Sequence, residues 1–167
     1  MAGLGSALAG AGHDVVVLTV ADRPAELRAT PPEGVRVLRT LVDLPWLPPS
    51  EAVTRIASAN HAVTKIGSRL VGDLEGWEPD IVHAHDWQLG WAADSLAARY
   101  DVPFVLTMHG TERVRHGGQL PLGHPTDINS IEWWLAFQAD RMISPTRFIV
   151  EQLITGFELA DDHVTHI

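Results

Sequence analysis

Short runs of valine, isoleucine and leucine recur along the chain, and longer stretches with helical periodicity lie between them. HDVVVLTV (13–20), VRVLRT (35–40), DIVHAHD (80–86), PFVLTMH (103–109) and RMISP (141–145) are the predicted strands. Three of them carry nearly continuous apolar residues, which suits strands covered on both faces. Ser50–Leu74, Gln88–Arg99, Asp127–Gln138 and Thr146–Gly156 are the predicted helices, with Ser50 and Asp127 as N-caps. The proline-rich LPWLPPS (44–50) reads as a lead-in to the first of these helices and not as a domain boundary. Strand and helix in alternation predict right-handed crossovers and a doubly wound α/β domain with a mostly parallel sheet. Ligands of such domains bind beyond the carboxyl ends of the strands.

The chain opens on a helical run, MAGLGSALAGAG, where an open α/β sheet normally begins with a strand. It closes on HVTHI, which reads as a strand just starting. The expectation is one Rossmann-like domain over residues 1–167, truncated at both ends and lacking its first strand. In the doubly wound order the first strand lies between the second and the fourth. Without it, HDVVVLTV and DIVHAHD are left with unpaired inner edges, and such edges favour self-association.

Composition narrows the function. The 46% hydrophobic and 20% charged content is that of an ordinary core-forming protein. A formal charge of -9 argues against nucleic acid, whose phosphates need a basic stripe. The absence of cysteine excludes disulfides, thiol nucleophiles and cysteine-based zinc sites, and it permits a reducing compartment. No apolar run reaches the roughly 18 residues of a membrane helix, and Met1 to Gly12 lacks the basic start of a signal peptide. The expectation is a soluble, cytoplasmic protein.

Four polar residues fall on the edge where such folds keep their sites. His83, His85 and Asp86 end the third predicted strand, and His109 ends the fourth. A strand-end histidine often does no more than bond a neighbouring loop, and His83 fits that structural role. Two strand ends that converge favour a site for Asp86 and His109. His-x-His is a common zinc-ligand pair, but Trp87 stands where a further ligand is needed and no Glu-x-x-His follows, so no metal is expected. The Gly-x-Ser-x-Gly elbow of serine hydrolases is absent. GLGSALAG (3–10) is weak as a phosphate fingerprint, because no strand precedes it. The stretch from Thr107 to Trp134 carries four glycines, two prolines and three histidines, more chemistry than a connection needs.

Together, DIVHAHDWQLGWAA, PFVLTMHG, the Gly-Gly loop and INSIEWWLAFQADRMISPTRF resemble the N-terminal, acceptor-side domain of GT-B glycosyltransferases. The resemblance is to family 4 and the related bacterial glycogen and starch synthases, and it runs from about Leu4 onward. It implies retaining transfer of a sugar from a nucleotide-sugar donor to a carbohydrate or other hydroxyl acceptor, in a cleft between two Rossmann-like domains. On the matching positions Asp86 would border the acceptor, and His109 would reach the donor sugar near its reacting carbon, stabilising charge that develops there. His85, Trp87, Gln88, Gly110 and Thr111 would line the substrate. Glu112, Arg113 and His116 would offer donors and acceptors to sugar hydroxyls, while Gly117 and Gly118 let the backbone pass close to a ligand. A plain solvated loop is the other reading of these residues. Trp133 and Trp134 are expected in the core rather than as a sugar-stacking platform. No cofactor is implied beyond the nucleotide sugar as co-substrate, held mostly by a C-terminal domain that this chain lacks, so the isolated chain is expected to be inactive. Two other readings stay open: a metal-dependent hydrolase using His83, His85, Asp86 and His109, and a non-catalytic carbohydrate-binding domain.

Overall fold

The computed structural model describes residues 2–21, 23–42 and 52–167. The predicted cap Ser50 and the lead-in 44–50 lie outside the described residues. Six strands form, β1 Val15–Ala21, β2 Val35–Leu41, β3 Val82–His85, β4 Phe104–Thr107, β5 Arg141–Ser144 and β6 Val164–His166. Every pairing between them is parallel. The architecture is therefore α/β, as the alternation of apolar runs requires. β1 pairs with β2 in one two-stranded sheet, and β3, β4, β5 and β6 follow one another in a second. No ladder joins β1 to β3 among the described residues, so their facing edges are unpaired.

The connections are α1 Ala2–Gly10, α2 Ala52–Gly67, α3 Leu70–Asp73, α4 Gly90–Tyr100, α5 Glu112–Arg115, α6 His124–Gln138 and α7 Arg147–Phe157. Helix α2 ties the two sheets together. It packs on β1 and β2 and also on α4, which lies against β3. Buried Asn60 on α2 fastens that contact at both ends of its amide: Nδ2 donates to the Gln88 carbonyl at 2.8 Å, and Oδ1 accepts from the Ala92 amide at 2.7 Å. Leu106, Met108, Leu135, Met142 and Leu153 are fully buried and form the centre of the core.

Three helix boundaries differ from expectation, each for a tertiary reason. The helix predicted to run to Leu74 breaks after Gly67, whose carbonyl accepts the Tyr100 hydroxyl at 2.6 Å. A Cβ at Gly67 would sit 2.6 Å from Leu96 Cδ1, so the chain approaches α4 too closely for a side chain. Asp127 is not the cap of α6, because Pro125 pre-sets the first turn and moves the start back to His124. Gly123, at φ 94, makes the entry that other residues resist. Helix α4 begins at Gly90 rather than Gln88, because Asn60 holds the Gln88 carbonyl outside it. The sequence expectation for α7 holds closely, with Thr146 Oγ1 accepting from the Ile149 amide at 3.3 Å.

Candidate functional site

The two strand ends do converge. β3 and β4 are in register with His85 opposite Thr107, so His83, His85 and Thr107 share one face of the sheet. His83 and His85 stack with ring centroids 4.6 Å apart, and His85 stacks on His109 at 5.5 Å. His85 Nδ1 and His109 Nε2 lie 3.2 Å apart and share one hydrogen bond, while His83 Nε2 bonds Thr107 Oγ1 at 2.8 Å. His83 thus takes the structural role, anchoring the base of the stack.

Asp86 leaves the strand with φ 55, a left-handed conformation uncommon for any residue but glycine and least costly for Asp and Asn. Its own amide donates to the Thr107 carbonyl at 2.8 Å, and its Oδ1 accepts from the His109 amide at 2.9 Å. The carboxylate therefore fixes the backbone that carries His109. Such local strain persists only where surrounding contacts hold it, and it concentrates at functional sites. Burial, and then the charge of its neighbour His85, pushes the His83 imidazole down to about 4. His85 is also lowered, by burial first and then by His109. Near neutral pH both rings are uncharged, and Nδ1 of His109 has no partner among the described residues.

The loop after His109 is more ordered than its glycine content suggests. Thr111 is buried and caps α5, its Oγ1 accepting from the Val114 amide at 3.2 Å. Glu112 is buried and committed internally: Arg115 Nη1 lies 2.9 Å from Oε2, and His116 Nε2 lies 3.0 Å from Oε1. Neither Thr111 nor Glu112 offers its side chain to a ligand in this arrangement, which corrects the expectation for both. Trp87 is also buried, in the core cluster that includes Met108 and Leu135, and does not offer its side chain to a ligand in this arrangement. Arg113, His116, Gly117, Gly118 and Gln88 are exposed, and Gly110 is half-buried. Gly117 and Gly118 adopt φ 60 and 89, so the turn requires them. Trp133 and Trp134 correct the opposite expectation: they are 48% and 37% exposed, with Trp133 against Phe137 at 4.8 Å.

Glu132 is the residue that sequence reasoning missed. It stands on α6 with no solvent exposure, and both its oxygens accept from the Glu112 amide, at 2.9 and 3.1 Å. Burial pushes its carboxyl up to about 7, against the lowering effect of that hydrogen bond and of Arg115. The available signal was its spacing, since Glu132 shares a helical stripe with buried Leu135, Ala136 and Ala139.

A cavity of about 270 Å³ opens where the two sheets face each other, lined by Thr19, Val20, Arg55, Ile56, Gln88 and Leu89 among others. It lies at the carboxyl ends of the strands. A larger hollow of about 380 Å³ lies at the amino end of β4, between Asp94, Asp101 and Asp140, away from the histidines. Size does not favour the first, but position does, since carboxyl ends are where doubly wound sheets bind ligands. Among the described residues no cluster of three or more histidines and carboxylates has a metal-binding arrangement. No described helix is long and apolar enough to cross a membrane.

The whole chain, residues 1–167, matches the family described as Glycosyl transferase 4-like domain. Among curated proteins, it is 36% identical over 149 residues to a glycogen synthase of Mycobacterium tuberculosis, covering 84% of this chain and 36% of the relative. An alpha-maltose-1-phosphate synthase of the same species is 25% identical over 114 residues, covering 68% of this chain and 30% of the relative. The chain thus spans about a third of the length of these relatives. Among solved structures, Arabidopsis thaliana UGT89C1 complexed with UDP-L-rhamnose superposes over 98% of this chain and 46% of its own, with a TM-score of 0.61 at 15% identity. That likeness bears on the fold alone and agrees with a Rossmann-like GT-B half. The hydrolase and the non-catalytic binding domain find no support in these comparisons.

Proposed function

The chain belongs to the glycosyl transferase 4-like family, and on that premise we propose that it is the acceptor-side domain of a retaining, nucleotide-sugar-dependent hexosyltransferase. The observation that carries the reading is the junction of two strand ends in one hydrogen bond, from the His109 amide to Asp86 Oδ1. In transfer with retention, the bond from the donor's anomeric carbon to phosphate breaks while an acceptor hydroxyl bonds the same carbon on the same face. Charge develops on the sugar and on the departing phosphate. His109, held from both its backbone and its ring, presents Nδ1 at the edge where that charge would appear, preorganised and needing no reorientation. Asp86 borders the acceptor side, where its free carboxylate oxygen suits a sugar hydroxyl. Gln88, Gly110, Arg113, His116, Gly117 and Gly118 form the polar surround. The cavity between the sheets extends this surface toward Arg55. A second domain supplies the donor site, and a cytoplasmic setting suits a chain without cysteine.

The test is a chimera in which this chain is joined to the first strand and the donor domain of a glycogen synthase. It should transfer hexose from a nucleotide sugar to an oligosaccharide, with the anomeric configuration of the donor kept in the product as read by NMR. The 167-residue chain alone should turn over no donor. Half a cleft supplies no alignment of donor with acceptor, which is what makes the step effectively unimolecular. Turnover by the bare chain, or an inverted product from the chimera, would remove the reading.

The unpaired edges of β1 and β3 carry a second expectation. Parallel strands with open ladders associate edge to edge unless they are covered. Sedimentation of the isolated chain should show mass rising with concentration, and the chimera, with its first strand restored, should stay monomeric. A bare chain monomeric at all concentrations would show that these edges are closed in solution.

A further inference from the structure

The site rests on a buried carboxylate that the transfer chemistry does not use. Glu132 has no solvent exposure, no ion pair of its own, and both oxygens on one amide, that of Glu112. That amide belongs to the first turn of α5, the four-residue helix opening the loop that carries Arg113, His116, Gly117 and Gly118. Thr111 caps the same turn. Beside the packing of Val114 on the core, the hydrogen bonds from α6 to this turn among the described residues are those that Glu132 accepts. The charged groups facing Glu132 are Glu112 and Arg115 from α5 and Asp86 from the end of β3, two anions and one cation. His116 sits one step further out, on the far side of the Glu112 carboxylate.

We propose that Glu132 is a positioning residue for the candidate site, a latch that docks the loop from Thr111 to Gly118 while its carboxyl is neutral and loosens it when the carboxyl is ionised. A neutral carboxyl still accepts the Glu112 amide through its carbonyl oxygen and adds no charge to the anions Glu112 and Asp86. An ionised carboxylate gains a stronger hydrogen bond but stands desolvated beside both of them, and undocking the loop is the movement that returns it to water. The sign follows from linkage. The docked carboxyl titrates at about 7 against 4.5 for the solvated one, so docking is fully favoured below about 4.5 and weakens as pH rises toward 7. Global stability hides this effect. His83, lowered from 6.5 to about 4, contributes stability that is lost as pH falls through that range, opposite in sign to Glu132. A local measurement is needed. The proposal deepens the transferase reading by naming what sets the loop beside His109, and its test does not depend on transfer.

Amide hydrogen exchange of the chain is followed between pH 5 and 8, with each rate divided by its intrinsic rate. Protection of the amides from Glu112 to Gly118 should fall on the order of ten- to a hundredfold across that range, while β4 amides change far less. In Glu132→Gln, which keeps the shape and a carbonyl acceptor but cannot ionise, protection should stay high and flat. A merely structural role predicts weaker protection in the variant and an unchanged pH slope. A slope that survives in the variant would assign the effect to the His116–Glu112 pair and overturn the latch. Should the variant not fold, the wild-type chain still decides: loop protection independent of pH, or a Glu132 carboxyl ¹³C shift titrating near 4.5, overturns it. A failed latch leaves the chimera result standing, and a failed chimera leaves the exchange result standing.

Discussion

In the chimeric enzyme, His109→Ala is expected to lower kcat by about 10²–10³-fold, the loss seen when one preorganised donor beside a developing charge is removed. The KM for acceptor should change little, because the acceptor side is assigned to Asp86 and the exposed loop residues. The geometry makes this division specific. The His109 ring is held by His85 at 3.2 Å and stacked at 5.5 Å, and its amide is held by Asp86 at 2.9 Å. Truncation to alanine removes the ring and leaves the backbone bond to Asp86, so the acceptor side keeps its shape. His109→Gln restores one hydrogen-bonding group without the ring and should recover part of the loss. Steady-state kinetics with saturating donor decide the matter. Near-normal kcat in the alanine variant would remove His109 from the chemistry, and a rise in acceptor KM at unchanged kcat would move it to the acceptor side.

The elements were legible because each depends on a local pattern. Every predicted strand is present within two residues at each end; FVLT of β4 is buried throughout, as a strand covered on both faces requires, whereas VVVLTV of β1 is only half-buried. Legible too was the convergence at the carboxyl edge, which brings Asp86 and His109 into one hydrogen bond. What was not legible depends on partners distant in sequence. The break at Gly67 is made by Tyr100, and the start of α4 is displaced by Asn60. Thr111 and Glu112 look like polar loop residues until α5 forms and turns them inward. On α6, hydrophobicity alone assigned Trp133 and Trp134 to the core. The buried stripe runs instead through Glu132, Leu135, Ala136 and Ala139, and at a helical period the tryptophans fall outside it. A charged residue on an apolar stripe is the signal that the sequence carries for Glu132.

The core beneath the site should respond as strongly as the site itself. Leu135→Ala is expected to cost about 2–5 kcal/mol, the range for a fully buried leucine whose surroundings relax only in part. Leu135 has no exposure and belongs to the same core cluster as Trp87 and Met108. Its neighbour across the helix interface is Gly90, the first residue of α4, where an added Cβ would stand 2.2 Å from Leu135 Cδ1 and 2.7 Å from Cδ2. Gly90→Ala therefore overpacks the contact and should cost about 1–3 kcal/mol, outweighing the roughly 1 kcal/mol that alanine gains over glycine in a helix. The two changes are complementary in volume. In the double variant the new methyl enters the space vacated by the leucine, and the combined loss should fall short of the sum by 1 kcal/mol or more, as expected of residues in contact. Denaturant midpoints of the four proteins give this coupling directly. Strict additivity would mean that Leu135 swings clear of Gly90 at no cost, and that the close approach of α4 to α6 does not depend on the glycine.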